Sequence, residues 1–139
     1  MAMISTTGLH AVRAMAYLAR LKEGTHVGAV AIAKEIHAPR NYLGKLLQSL
    51  TQSGLLVSLK GHGGGFSLAK SPKKISLFDV LDALEGIGKE PDCFFGWKKC
   101  SDEKPCAMHK KWKPVRERFC TVMEKVSIKD VAEGDLFEG

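Results

Sequence analysis

The residues best able to do chemistry are three cysteines and one histidine in the second half of the chain. Cys93, Cys100 and Cys106 are separated by six and five residues, and His109 follows with two residues between. Three thiolates and one imidazole form a four-ligand set that suits zinc or an iron–sulfur cluster. Zinc sites usually supply cysteines in tight pairs, two to four residues apart. The wider spacing therefore favours the larger cluster.

Two other interpretations of these cysteines stay open: reduced thiols in a surface loop, or a redox disulfide between two of them. The first residues lack a signal-peptide pattern, so we expect a reducing cytoplasm, where clustered cysteines more often bind metal or do redox chemistry. Cys120 is predicted to be a small buried residue and not a ligand. A thiol enzyme is disfavoured because the sequence has no Cys-x-x-Cys pair.

Length and charge restrict the partners. The 139 residues suffice for one domain with an extension, and no apolar run approaches the ~20 residues that cross a bilayer. Residues 1–75 hold ten basic and two acidic side chains, whereas residues 76–139 hold eleven basic and thirteen acidic ones. The first half therefore suits a polyanion, and we predict a nucleic acid partner and no membrane association.

Apolar periodicity predicts three helices in the first half, over residues 5–22, 28–37 and 39–52. Pro39 is expected at the first position of the third helix, where its missing N–H is not needed. The short turn between the second and third helices is typical of a helix-turn-helix, whose second helix enters the major groove. The outward face of that helix is polar and without acid: Arg40, Asn41, Lys45, Gln48, Ser49 and Gln52.

A glycine-rich hairpin is predicted next, from two alternating runs at residues 57–59 and 66–68. Lys60 and His62 should lie at its tip. Gly63 and Gly64 would bring backbone N–H groups close to a phosphate backbone. A hairpin directly after a recognition helix is the layout of a winged helix-turn-helix.

Beyond the hairpin, Ser76 and Asp79 form a capping-box pattern, which predicts a helix that ends at Gly86. Apolar residues then recur in steps of three and four, as in a coiled-coil seam, and this predicts a long helix that pairs with its twin in a homodimer. The alternative is a helix that packs on its own domain. Pro114 implies that the regular helix begins near it or is kinked there. The predicted seam is Trp112, Val115, Phe119, Val122 and Val126.

The predicted fold is thus mostly α: a winged helix-turn-helix with a small β-hairpin wing and a long C-terminal dimerisation helix. We divide the chain into a DNA-binding domain at residues 1–86, a cysteine-rich cluster-binding loop at 87–111, and a dimerisation helix with a C-terminal tail at 112–139.

Several stretches of the sequence are distinctive in their order and spacing. The most specific is Lys-Gly-His-Gly-Gly-Gly-Phe-Ser-Leu at 60–68. The others are His-Ala-Val-Arg at 10–13, Asn-Tyr-Leu at 41–43, Ser-Gly-Leu-Leu-Val at 53–57, Ile-Ser-Leu-Phe-Asp-Val at 75–80 and Leu-Glu-Gly at 84–86. Together they resemble the Rrf2 family of bacterial winged-helix regulators, in particular its iron–sulfur sensors of the IscR and NsrR types, and the resemblance covers nearly the whole chain.

The resemblance implies a homodimer that binds a palindromic operator on double-stranded DNA. It implies groove contacts from Arg40, Asn41 and Tyr42 and a basic wing contact from Lys60. It also implies cluster ligation by Cys93, Cys100 and Cys106, with His109 as the fourth ligand. In members of the NsrR type the fourth ligand is a carboxylate near the N-terminus, whereas the corresponding residues 8–10 here contain no acid. The resemblance therefore favours His109 as the ligand and a 2Fe–2S over a 4Fe–4S cluster.

We therefore hypothesise a cytoplasmic transcriptional regulator, in function a repressor and not an enzyme, whose iron–sulfur cluster gates operator binding in response to a redox or nitric oxide signal. The alternative is a winged-helix regulator with a structural zinc or a thiol-only redox switch. The DNA-binding candidates are Arg40, Asn41, Tyr42, Lys45, Gln48, Lys60, His62, Gly63 and Gly64.

Overall fold

The first helix, α1 (Thr6–Arg20), lies at the centre of the fold in a computed structural model that describes residues 4–87 and 101–134. Its N-terminus is capped by Ser5, whose side chain accepts a hydrogen bond of 3.0 Å from the N–H of Gly8. Ala11, Ala14 and Met15 on this helix are fully buried. A β-carbon at Gly8 would lie 3.0 Å from the Leu81 side chain, so glycine lets a neighbouring helix approach closely.

The predicted helix-turn-helix is confirmed as α2 (Ala29–Ile36) and α3 (Arg40–Gln52). His37 ends α2 in the left-handed region, with φ of 57°, and its backbone N–H reaches the carbonyls of Ala33 and Lys34. Pro39 precedes the third helix as its N-cap rather than occupying the first helical position. The expected leucine stripe of α3 is buried: Leu43, Leu46, Leu47 and Leu50.

The predicted hairpin is also present, as β1 (Leu56–Leu59) paired antiparallel with β2 (Gly65–Leu68). Leu56 lies opposite Leu68, and Leu59 opposite Gly65. The backbone of Val27, just before α2, pairs with Phe66 through hydrogen bonds of 2.8 and 3.0 Å. A β-carbon at Gly65 would lie 2.4 Å from the Val27 backbone, so only glycine permits this approach, which ties the wing to the helix-turn-helix.

The fourth helix, α4 (Leu77–Glu85), begins with the predicted capping box of Ser76 and Asp79 and ends at Gly86 in the left-handed region. Helices α5 (His109–Lys125) and α6 (Ile128–Glu133) follow. Helix α5 thus begins three residues before the start predicted at Trp112, and Pro114 lies inside it.

The sequence analysis missed α6, and residues 128–133 are therefore not a tail. Ile128 is fully buried in the core formed by α1 to α4, and its N–H donates to the Ile75 carbonyl at 2.7 Å. Arg20 at the end of α1 donates from Nε to the Ala132 carbonyl at 2.7 Å and from Nη2 to the Gly134 carbonyl. The C-terminal part of the described chain is thereby fastened to the first helix.

No helix in the two described ranges is long and apolar enough to cross a membrane.

Candidate DNA-binding surface and metal centre

Helix α3 separates its apolar and polar side chains onto opposite faces. Its four leucines enter the core, whereas Arg40, Asn41, Lys45 and Gln48 are exposed. Part of this exposed face lines an open groove of about 550 Å³ between α3, the first turn of α2 and β2. The residues that line it are Ala29, Asn41, Gly44, Lys45, Gln48, Ser49, Gln52 and Phe66. The structure thus brings three of the predicted DNA-contacting side chains, Asn41, Lys45 and Gln48, to one surface.

Tyr42 is placed differently from its predicted neighbours. It is half-buried and packs against the core, and its hydroxyl contacts Nδ1 of His10 on α1. The two rings have centroids 5.5 Å apart and are tilted by 56°. Burial, and secondarily the charge of Arg13, lower the pKa of His10 below its usual range. Tyr42 therefore joins α3 to α1, a contact that the sequence analysis missed because it assigned the side chain to the groove.

The predicted wing residues lie together at the tip of the hairpin. Lys60, His62 and Gly63 are exposed, and Gly63 has φ of 78°, which a residue with a side chain rarely adopts. Gly64 lies so close to Leu59 that a β-carbon there would meet the Leu59 carbonyl oxygen at 2.1 Å. Because Phe66 of the same hairpin lines the α3 groove, the wing adjoins the exposed face of the recognition helix.

Only part of the predicted metal centre lies in the described residues, because Cys93 and Cys100 are outside them. Cys106 is a free, half-buried thiol, and its carbonyl accepts a hydrogen bond of 3.1 Å from the backbone N–H of His109. His109 is the first residue of α5 and is only 8% exposed. The described ranges contain no group of three or more His, Cys, Asp or Glu side chains that could hold a metal ion.

His109 is held by an acidic residue that the sequence analysis did not single out. Its Nε2 lies 2.7 Å from Oδ1 of Asp102, and Lys113 Nζ donates to both oxygens of that carboxylate at 3.0 Å. The hydrogen bond with His109, and then those from Lys113, lower the pKa of Asp102. Metal-binding histidines commonly donate their other ring N–H to a carboxylate. An acid seven residues before a predicted histidine ligand was thus an available signal.

Cys120 lies on α5, away from this network, and burial raises the pKa of its thiol. A raised pKa keeps the thiol protonated, and the thiolate is the form that binds metal. This agrees with its predicted role as an apolar residue, although the side chain is half-buried rather than buried.

The residues of the predicted dimerisation seam do not all face the same way: some face solvent and others face the core. Val115 and Val122 are 50% and 38% exposed, whereas Phe119 packs against the core and Trp112 is half-buried. Val126 lies one residue beyond the end of α5, so its placement on the helical seam was wrong. The helix stops there because the Val126 carbonyl accepts a hydrogen bond from Leu77 and the next residue, Ser127, caps α6.

Comparison with known proteins identifies relatives over almost all of the chain. The family described as "Rrf2: Iron-dependent Transcriptional regulator" matches residues 4–134. An HTH-type transcriptional regulator of Aquifex aeolicus is 36% identical over 129 residues, which cover 91% of this chain and 89% of that one. The YffB regulator of Lactococcus lactis is 33% identical and covers 84% of this chain and 78% of its own length.

Solved structures show the same fold. CymR, described as the global cysteine regulator of B. subtilis, superposes with a TM-score of 0.78 at 26% identity and covers 97% of this chain and all of its own. IscR of T. potens gives a TM-score of 0.76 at 25% identity, covering 95% of this chain and 87% of that one. The oxidised form of Staphylococcus aureus CymR gives 0.75 at 26% identity, covering 96% and 98%. The matching family and the relatives named above are described as transcriptional regulators, in agreement with the prediction of a regulator and not an enzyme.

Proposed function

The chain belongs to the Rrf2 family of transcriptional regulators, and from this premise we propose that it is a homodimeric repressor whose operator binding is gated by an iron–sulfur cluster. The observation that carries the DNA-binding part is the exposed, acid-free face of α3 beside the glycine-rich wing. A helix-turn-helix places this face in the major groove. The excess of basic residues in the first half adds attraction that does not depend on base sequence.

The side chains divide into positioning and contacting roles. Arg40 and Lys45 on α3, and Lys60 on the wing, are placed to neutralise phosphates. Asn41 and Gln48 reach base edges, and His62 with the Gly63 and Gly64 backbone lies against the phosphate backbone at the wing tip. Tyr42 contributes by holding α3 on α1 through His10, so we assign it positioning rather than direct contact.

The second copy pairs through α5. Val115 and Val122 are seven residues apart on its exposed side, at the spacing of a coiled-coil position. Trp112 lies half-buried one turn earlier. Pairing of two such helices sets the separation of the two α3 helices, which must match half-sites about 34–36 Å apart or a multiple of that distance. A small change in the direction of α5 therefore changes operator affinity.

The described residues fit the chemistry of the proposed cluster. Cys106 offers a free thiol, and His109 offers an imidazole three residues later, where its backbone N–H donates to the Cys106 carbonyl. Asp102 fixes the orientation of the imidazole ring. Together with Cys93 and Cys100 they make a three-cysteine, one-histidine set, which we assign to a 2Fe–2S rather than a 4Fe–4S cluster. When bound, such a cluster supplies a centre that responds to oxidation and nitric oxide. His109 begins α5, so any movement of His109 reaches the helix that carries Val115 and Val122.

The test uses anaerobically purified full-length protein and a matched pair of variants. We expect wild type to be coloured and to contain iron and acid-labile sulfide, and Cys106→Ala to lose both. Cys120→Ala should retain them, because its thiol is not a ligand. Operator affinity, measured by fluorescence anisotropy, should differ between the loaded and cluster-free dimers. Equal affinities would contradict the gating, and iron retained by Cys106→Ala would contradict the ligand assignment.

The similarity to CymR, including an oxidised form, favours a second candidate. In it the same fold binds DNA, while the cysteines form a thiol-based switch or hold a structural zinc. A colourless, iron-free protein whose DNA affinity changes reversibly with peroxide and dithiothreitol would favour the thiol switch. Stoichiometric zinc, with unfolding on chelation, would favour the structural site.

A further inference from the structure

Three side-chain amides on the recognition helix, those of Asn41, Gln48 and Gln52, are exposed and line the α3 groove. Gln52 is the last residue of the helix, farthest from the N-terminal part with which a recognition helix contacts base edges, so the other two are the candidates for base contact. Asn41 and Gln48 are exposed, and within residues 4–87 and 101–134 neither makes a hydrogen bond. The hydroxyls of Ser49 and Thr51 on the same helix are used differently, because they donate to the carbonyls of Lys45 and Leu47 at 3.1 and 2.8 Å. Among the uncharged polar side chains of the helix, the amides of Asn41 and Gln48 are therefore left to a partner, and both line the α3 groove.

The spacing of the two amides places them on one face. Residues seven apart are separated by almost two helical turns, and hence by about 10.5 Å along the axis. Base pairs in B-DNA are stacked about 3.4 Å apart. This distance corresponds to about three base-pair steps along the duplex axis and to fewer when the helix is inclined to that axis. A helix lying in the major groove would therefore present Asn41 and Gln48 to base pairs about two to three steps apart.

Gly44 opens the space between the amides. A β-carbon at this position would meet no atom within 4 Å, and its backbone φ is not positive, so neither packing nor conformation requires glycine. Glycine is destabilising in the interior of a helix. Its presence here leaves a gap on the groove side, which permits the α3 backbone to come closer to whatever lies against this face.

The chemistry of the amides selects one base. A side-chain amide offers one donor and one acceptor, which match N7 and the N6 amino group of adenine in the major groove. Guanine presents two acceptors there and pairs best with arginine or lysine, and cytosine presents a donor that suits a carboxylate. No residue lining the α3 groove carries a carboxylate.

We propose that Asn41 and Gln48 each read an adenine, so that every half-site of the operator carries two A·T pairs about two to three steps apart. Gly44 lets the helix backbone approach the bases between them. This assignment rests on the proposed DNA-binding function and adds the base identity to it.

The experiment selects binding sites from random double-stranded DNA with full-length wild type, Asn41→Ala, Gln48→Ala and the control Thr25→Ala. We expect wild type to enrich two adenines in each half-site. Each amide variant should lose the preference at one of these positions, with discrimination falling roughly fivefold to 150-fold, while the remaining positions stay unchanged. Thr25→Ala, at an exposed position before α2 and outside the α3 groove, should select the wild-type site. All three positions are exposed, so unchanged melting temperatures will separate lost recognition from lost folding.

Gly44→Ala supplies a second readout, because a purely structural role of Gly44 would not make stability and DNA affinity change in opposite directions. It should raise the melting temperature, because alanine favours helix, and lower affinity for the selected site. Unchanged or improved affinity would overturn the role of Gly44. The adenine assignment would be overturned if the amide variants lost a preference for guanine or cytosine, or if they changed no single position of the site. Either result would leave the proposed DNA-binding function intact. Failure of wild type to enrich any DNA would overturn the proposed function as well.

Discussion

Helices α3 and α5 are held in the structure in opposite ways. Helix α3 has 13 residues and buries four leucines to 4% exposure or less. Helix α5 is longer, with 17 residues, yet its one buried residue is His109. Burial of an aliphatic side chain contributes roughly 1.5–3 kcal/mol, so the core fixes the position of α3 far more firmly than that of α5. The core therefore anchors the proposed recognition helix more firmly than the helix that follows Cys106.

The two ends of α5 are also unlike each other. At its start, the contacts of His109 and Lys113 with Asp102 involve a carboxylate that is 71% exposed, and exposed ion pairs contribute little. At its end, the chain is fixed by backbone pairing of Ser76 with Ser127 and by the buried side chain of Ile128. Movement of α5 should therefore begin at its start, near Cys106, and pivot about its C-terminal end, as coupling to the proposed cluster would require.

The largest effect should come from opening a cavity under α3. Leu47 is fully buried, so Leu47→Ala should lower the free energy of unfolding by about 2–5 kcal/mol. Val122→Ala on the exposed side of α5 should change it by no more than about 0.5 kcal/mol when the protein is monomeric. Urea denaturation followed by circular dichroism measures both. Comparable losses for the two variants would contradict the difference in anchoring.

A smaller effect should follow from placing a charge on the exposed side of α5. Val122→Glu should weaken the homodimer more than tenfold, because a carboxylate buried without a partner opposes association. Sedimentation over a concentration series measures the dissociation constant. Glu117→Gln, at an exposed position on another side of α5, is the control and should leave it unchanged. If Val122→Glu left the dissociation constant of the dimer unchanged, the dimer interface would lie on a surface other than the exposed side of α5.

The same contrast explains which parts of the fold were predictable. Helices α1 to α4 have apolar residues at regular helical spacing, and the capping residues Ser76 and Gly86 mark the ends of α4, so local pattern and tertiary packing agree there. Helix α6 has only six residues and one buried side chain, Ile128. A single buried residue cannot form an apolar repeat, so the helix has no periodic pattern in the sequence. Its capping box of Ser127 and Asp130 repeats the pattern of Ser76 and Asp79, and that signal could have identified it.

The site was predictable where the position of a residue on its own helix decides its exposure. It was less predictable where the role of a residue depends on a contact with another part of the chain. The exposed face of α3 follows from spacing alone. The contact of Tyr42 with His10 and that of Asp102 with His109 join residues 32 and 7 positions apart, and the side chains meet only in the folded chain. Val115 and Phe119 share a heptad pattern, but one faces solvent and the other the core, since periodicity does not say which surface covers a helix.

The smallest of the expected effects tests the titratable contact of His10 with Tyr42, which joins α1 to α3. Burial, and then Arg13, lower the pKa of His10, so the unfolded chain binds a proton more readily than the folded one. The contribution of neutral His10 to stability should therefore be complete above about pH 6.5, the ordinary histidine value, and should fall as the pH drops through that value toward the lower folded pKa. NMR titration of the His10 ring should give a pKa below the ordinary histidine value. His10→Gln should show a weaker loss of stability than wild type between pH 7.5 and 5.5. A His10 ring that titrates at the ordinary histidine value would contradict its burial between α1 and α3, and the anchoring of α3 would then rest on its leucines.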